Sequence, residues 1–130
     1  MDSNSILVIE DDPGIADIMR LYCGKLLRGQ AITIIQDGQA ALSYLLTLPP
    51  EQIPELILLD LYLPYVDGLQ ILHYLRKQCA TANTKIVVLT SSADPRCLTE
   101  SEEIGVDAFL RKPVILNEFQ EMLRNIGLEQ

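Results

Sequence analysis

Glu10, Asp11, Asp60, Thr90 and Lys112 each stand where an apolar run of the chain ends. The run Ile6 to Ile9 stops at Glu10-Asp11-Asp12, and Leu56 to Leu59 stops at Asp60. Two later runs end in Thr90 and in Lys112-Pro113. If these runs are strands lying side by side and parallel, three carboxylates, a hydroxyl and an ammonium meet on one edge of a sheet. Carboxylates about 4 Å apart repel by roughly 4 kcal/mol per pair at an effective dielectric near 20, so an ionised cluster calls for a cation. Lys112 alone does not neutralise it. Mg²⁺ suits it, because that ion takes one or two carboxylates, keeps several waters and accepts a phosphoryl oxygen. With a metal in place, Asp60 is the natural nucleophile toward phosphorus, holding the group as an acyl phosphate. Lys112 would neutralise the phosphoryl oxygens and Thr90 would hydrogen-bond one of them, which is most of what phosphoryl transfer asks of a protein.

The elements that must position these residues alternate along the chain. Strands are expected at Ser5 to Ile9, Ala31 to Ile35, Leu56 to Leu59, Lys85 to Leu89 and Asp107 to Leu110, short and apolar enough to be covered on both faces. The first helix presents Ile15, Ile18, Met19, Tyr22, Cys23 and Leu26 on one face, with Asp12-Pro13 as N-cap and first-turn proline. Asp37-Gly38 opens the second helix, Asp67-Gly68 the third and Asp94-Pro95 the fourth, and Val114 to Ile126 forms the fifth. The Pro-rich stretch from Leu48 to Pro54 reads as a loop, and Gly105 as a helix C-cap. Five strand–helix units with short links and right-handed crossovers predict an α/β fold. It is a doubly wound, five-stranded parallel sheet of order 2-1-3-4-5, flavodoxin-like, (βα)5, with helices on both faces. Ligands of such sheets bind beyond the carboxyl ends of the strands where the order reverses, here between the strands ending in Glu10-Asp11 and Asp60.

In this arrangement the residues resemble the response regulator receiver domain (CheY-like) of two-component signalling. The resemblance rests on the acidic pair Glu10-Asp11, on Asp60 followed four residues on by Pro64, on Asp67-Gly68, on Thr90 and on Lys112-Pro113, in order and over essentially the whole chain. It implies one receiver domain over 1-130, with a core of about 4-126. It also implies transfer of a phosphoryl group from a histidine kinase's phosphohistidine to Asp60 with Mg²⁺, Mn²⁺ being a substitute. Asp11 and Asp60 would ligate the metal directly, Glu10 through water, and the backbone carbonyl of Tyr62 would complete the set. Pro64 and Gly68 would shape the loop beyond Asp60, and the Lys112-Pro113 peptide would be cis. Phosphorylation would draw Thr90 toward Asp60 and turn Phe109 inward, reshaping the face of helix 4, strand 5 and helix 5 for a downstream protein. Such a protein is a phosphoacceptor that assists its own phosphorylation and dephosphorylation rather than an enzyme in the ordinary sense. Its upstream partner is a sensor histidine kinase or phosphotransfer protein, and a regulator consisting of this domain alone is favoured. The helix 4 to helix 5 face could serve a homodimer or a heterologous partner.

Tyr62 is bulkier than the small polar residues often found at that position, which predicts a shielded, longer-lived acyl phosphate. A phosphatase or mutase would carry a second acid two residues after the nucleophile, where Tyr62 stands. A flavodoxin-like flavin site needs small hydroxyl and glycine residues after strand 1, where Glu10-Asp11-Asp12 would repel the flavin phosphate. A receiver that has lost phosphorylation is the third alternative, and the intact acidic set argues against it.

Composition narrows the classes. A net charge of -8 disfavours direct contact with nucleic acid, and 48% hydrophobic residues fit a folded domain rather than a disordered one. No apolar run approaches the roughly 20 residues of a membrane span, and no secretory leader pattern opens the chain. Cys23, Cys79 and Cys97 are widely spaced and fit reduced thiols in a cytoplasm. His73, beside Tyr74, Arg76 and Lys77, reads as a solvated helix residue.

Overall fold

Asp12, Asp37 and Asp67 begin three of the helices by the same chemistry. The Asp12 carboxylate accepts from the N–H groups of Gly14 and Ile15, Asp37 from Ala40 and Asp67 from Leu69. Each satisfies donors that the first helical turn leaves without a partner. In a computed structural model, residues 5–63, 66–91 and 95–128 are described, without the side chains of Cys79, Pro95 and Arg96. Pro64, Ser92 and the proposed helix cap Asp94 lie outside these residues. The order of elements is β1 (Ser5–Ile9), α1 (Pro13–Leu26), β2 (Ala31–Ile35), α2 (Gly38–Leu46), β3 (Leu56–Asp60), α3 (Gly68–Lys77), β4 (Lys85–Thr90), α4 (Pro95–Ile104), β5 (Ala108–Arg111) and α5 (Leu116–Asn125). Short 3₁₀ turns at Pro50–Gln52 and Cys79–Thr81 punctuate the loops before β3 and β4.

All strand pairs are parallel and the sheet order is β2-β1-β3-β4-β5, as the alternation of elements predicts. β3 is buried along its whole length, which is why its sequence Leu-Ile-Leu-Leu shows no polar alternation. Side chains alternate across the sheet, so two cores form. Ile6, Val8, Leu56, Leu58, Val87 and Leu89 face Met19, Cys23, Phe119 and Leu123 of α1 and α5. Leu7, Ile9, Ile57, Leu59 and Ile86 face Ala41 and Leu45 of α2 and Ile71, Leu72 and Leu75 of α3. Among the described residues no helix is long and apolar enough to cross a membrane.

Several boundaries differ from the sequence reading. β3 and β4 each run one residue further, taking in Asp60 and Thr90, because parallel pairing continues past the apolar run. β5 begins at Ala108 rather than Asp107, since the Asp107 carboxylate accepts from the N–H of Ile86 at 2.8 Å and from Arg76 at 3.0 Å. Helix α5 begins at Leu116 rather than Val114; Val114 is buried beyond the cis peptide Lys112–Pro113, and its carbonyl accepts the Tyr22 hydroxyl at 3.0 Å. Ile18 of α1, placed on the inward face by its spacing, is 40% exposed. The α1 stripe that packs inward is narrower than the run of apolar residues.

Gly68 does what its pairing with Asp67 suggests. A Cβ there would lie 2.4 Å from the Leu61 Cα and 2.7 Å from the Asp60 carbonyl oxygen, so only glycine lets α3 start against the end of β3. Gly24, in the last turn of α1, has no such reason: a Cβ there would meet nothing within 4 Å.

Candidate functional site

The site lies where β1 and β3, adjacent in the sheet, both reach their carboxyl ends. Continuation of β1 by one hydrogen bond, Glu10 N–H to the Ile35 carbonyl at 3.1 Å, holds Glu10 in line with the strand and buries its side chain completely. Its Oε2 accepts from the Asp12 N–H at 3.1 Å, so the residue that caps α1 also orients Glu10. Asp60 is 2% exposed, and its Oδ1 accepts from the Tyr62 N–H at 3.0 Å. Asp11 lies between them and is exposed. Glu10, Asp11 and Asp60 each bring a carboxylate oxygen within 4.8 Å of the others.

Lys112 crosses to this cluster from the end of β5. Its Nζ lies 2.6 Å from Glu10 Oε1 and 3.1 Å from Asp60 Oδ2, with the side chain only 10% exposed. The Lys112 N–H donates to the Thr90 carbonyl at 2.8 Å, which fixes where the lysine leaves the sheet. Thr90 is buried at the end of β4, one residue beyond Leu89, the sheet neighbour of Asp60. Burial pushes the Glu10 carboxyl up to about 7, reinforced by the Asp60 charge and only partly offset by Lys112 and the Asp12 N–H. Burial also acts to lower Lys112, but the Glu10 and Asp60 carboxylates outweigh it and leave the ammonium raised. One ammonium thus faces three carboxylates, and the deficit falls on Glu10.

That donor set fits a hard divalent cation. All the converging ligands are oxygens, one of them exposed for entry, and charge compensation is incomplete. The pocket at the cluster has a volume of about 460 Å³ and opens past Tyr62, Ser91 and α1. Tyr62 is 46% exposed, and its hydroxyl donates to the Cys97 Sγ of α4 at 3.4 Å, so its ring stands beside the pocket mouth. Ile15, Ile18 and Met19 of α1 also line the pocket. By spacing alone these three read as core residues. The Asp12 cap is the signal for their second place, because it starts α1 at Pro13 and so sets the first two turns beside the pocket.

Phe109 pairs in register with Val88 at the edge of the sheet. It is half-buried and lines an open groove with Arg111, Glu118 and Met122, away from the carboxylate pocket. The structure therefore brings Glu10, Asp11, Asp60, Tyr62 and Lys112 to one pocket, sets Thr90 at its border and keeps Phe109 apart. His73 is exposed on α3, outside the site.

Comparison with known proteins matches the chain to one family. The model of the response regulator receiver domain matches residues 6–124. The DNA-binding response regulator MtrA of Mycolicibacterium smegmatis is 36% identical over 110 residues, covering 83% of this chain and 43% of that protein. The DNA-binding dual master transcriptional regulator RpaA of Synechocystis sp. is 31% identical over 121 residues, covering 93% of this chain and 46% of that protein. The chain thus spans less than half the length of these relatives. Among solved structures, the bacteriophytochrome response regulator RtBRR superposes with a TM-score of 0.84 at 30% identity, over 100% of this chain and 81% of that one. The Mn²⁺-bound form of response regulator Rcp1 superposes with a TM-score of 0.82 at 26% identity, over 98% and 96%.

Proposed function

The chain belongs to the response regulator receiver domain family of two-component signalling, and on that premise we propose that Asp60 accepts a phosphoryl group in a reaction that requires Mg²⁺. The observation that carries the reading is the Lys112 ammonium held between Glu10 and Asp60 at 2.6 and 3.1 Å, with Asp11 closing a carboxylate triangle around the same pocket. A carboxylate oxygen of Asp60 attacks phosphorus, and the N–P bond of a donor phosphohistidine breaks. Its electron pair stays on the imidazole nitrogen, which takes up a proton. Lys112 offsets charge on the phosphoryl oxygens, and the Tyr62 N–H keeps the Asp60 carboxylate oriented. Glu10, Asp11, Asp60 and the Tyr62 backbone carbonyl would hold the cation, which when bound neutralises the carboxylates and draws a phosphoryl oxygen toward Asp60. The Mn²⁺-bound relative supports that assignment.

In the same reading Thr90 and Phe109 form the switch. A phosphoryl group adds acceptor oxygens beside the end of β4, drawing Thr90 toward it. Phe109, now in the outer groove with Arg111, Glu118 and Met122, turns inward and changes the surface offered to a downstream protein. The donor is a histidine kinase or phosphotransfer protein. The relatives named as DNA-binding are more than twice as long as the matched stretch, and with a net charge of -8 the present chain is proposed to signal through protein contacts.

Incubation with acetyl phosphate and Mg²⁺, followed by intact mass measurement, tests the reading. Wild type gains one phosphoryl group. Asp60→Ala, or wild type with EDTA, gains none. A phosphoryl group on Asp60→Ala at wild-type level overturns it.

A further inference from the structure

Tyr62 is tied to the pocket at one end and to α4 at the other. Its N–H donates to Asp60 Oδ1 at 3.0 Å, and its hydroxyl donates to Cys97 Sγ at 3.4 Å, 35 positions away in the chain. Cys97 lies in the first turn of α4 and is a half-buried free thiol. Behind it Ser101 is fully buried, and its hydroxyl donates to the Cys97 carbonyl at 2.7 Å, so a displacement of Cys97 is passed into the helix. Burial alone does not hold the Tyr62 ring in place, because nearly half of the residue faces solvent. The hydroxyl contact gives the ring its fixed position over the pocket mouth.

The contact is made in an arrangement where Lys112 is the counter-charge of Glu10 and Asp60. Where the Tyr62 carbonyl is a cation ligand, as proposed for this pocket, three groups of one residue answer to three different partners. The N–H is held by Asp60 and the hydroxyl by Cys97, so the carbonyl turns only against two anchors. A turn of about 10° at the Tyr62 Cα carries a hydroxyl about 6.5 Å away through about 1 Å, enough to break a contact of this length. We propose that the Tyr62–Cys97 contact is a latch that competes with cation binding. It holds the first turn of α4 while the pocket relies on Lys112, and it opens when the Tyr62 carbonyl joins the ligands. The inference rests on the metal reading of the pocket. Helix α4 belongs to the face proposed to signal, so the latch gives pocket occupancy a route to that face besides Thr90 and Phe109. Reciprocity follows from linkage: if occupancy opens the latch, then removing the latch from the α4 side tightens binding in the pocket.

Calorimetric titration of the unphosphorylated chain with Mg²⁺ tests it, with Cys97→Ala as the main variant because Cys97 does not line the pocket. Cys97→Ala binds Mg²⁺ about twofold to fivefold more tightly than wild type, and Tyr62→Phe does the same. The double variant gains no more than either single one, since each removes the same bond. A merely structural loss at either position would weaken binding or leave it unchanged. Alkylation of Cys97 by iodoacetamide, followed by peptide mass, is the second readout. In wild type saturating Mg²⁺ speeds it about threefold by freeing the sulfur, whereas in Tyr62→Phe it is fast from the start and indifferent to Mg²⁺. An affinity unchanged or lowered in either single variant overturns the latch and leaves the metal reading intact, and so does a wild-type alkylation rate that ignores Mg²⁺. Wild type that takes up no Mg²⁺ overturns the metal reading and the latch with it.

Discussion

Glu10→Gln removes the group on which the charge deficit of the pocket falls, and its consequence is a change in how stability depends on pH. The Glu10 carboxyl is pushed from its ordinary 4.5 to about 7. A group raised in the folded state contributes its full stability below the unfolded value and loses it as pH rises through the folded value. The metal-free wild type therefore loses stability between about pH 4.5 and 7, by up to about 3 kcal/mol for a shift of this size. Lys112, also raised, adds no slope here, because its contribution is fully present below the ordinary lysine value and is lost only above it. Urea denaturation in EDTA at several pH values from 5 to 8 reads the difference. The midpoint of wild type should fall relative to that of Glu10→Gln by roughly 1–2 M, given a typical urea slope for a domain of this size. Saturating Mg²⁺ should restore most of the loss at pH 8 and little at pH 5, where the proton already neutralises Glu10. Parallel pH profiles for the two proteins in EDTA would refute the claim that burial of Glu10 leaves the pocket short of positive charge.

Other consequences follow from single contacts. Arg76 donates to the carbonyls of Gly105, Thr81, Ala82 and Thr84 and pairs with Asp107, tying α3 to the loops that enter β4 and β5. Arg76→Ala should cost about 2–4 kcal/mol in urea unfolding, and a loss under about 0.5 kcal/mol would show those bonds to be redundant. Gly68→Ala forces a Cβ into the Leu61 backbone, so it should destabilise by about 1–3 kcal/mol and slow phosphorylation by acetyl phosphate by shifting Asp60; wild-type values for both would contradict the clash. Tyr62→Asn removes the ring that reaches Cys97 across the pocket mouth and should shorten the acyl-phosphate half-life severalfold, measured by loss of the phosphorylated mass after removal of donor. An unchanged half-life would mean that the ring does not shield the group.

Legibility in the sequence was uneven for physical reasons. The sheet order and the positions of Glu10, Asp11, Asp60 and Lys112 could be read because uninterrupted apolar runs in a parallel sheet end abruptly at polar residues, and the helix starts carry Asp caps. The exact ends of β3, β4 and β5 could not, since backbone pairing rather than side-chain type decides them. Asp107 looked like a strand residue, yet its carboxylate bonds to Ile86 N–H and Arg76, partners 21 and 31 positions away. Ile18 looked like core because periodicity shows which residues share a stripe and not how wide the contact beneath it is. Which of the two adjacent acids is enclosed was equally hidden, for the fold leaves Asp11 exposed and buries Glu10 against the ammonium that the sequence already placed at this edge.

Asp60 is the residue proposed to carry phosphorus. Borohydride reduces an aspartyl phosphate to homoserine, so peptide mapping of the phosphorylated, reduced chain locates the acceptor directly. Homoserine at position 60, dependent on Mg²⁺ and found nowhere else, is the predicted result. Homoserine at another aspartate, or label retained on the Asp60→Ala chain, would contradict it.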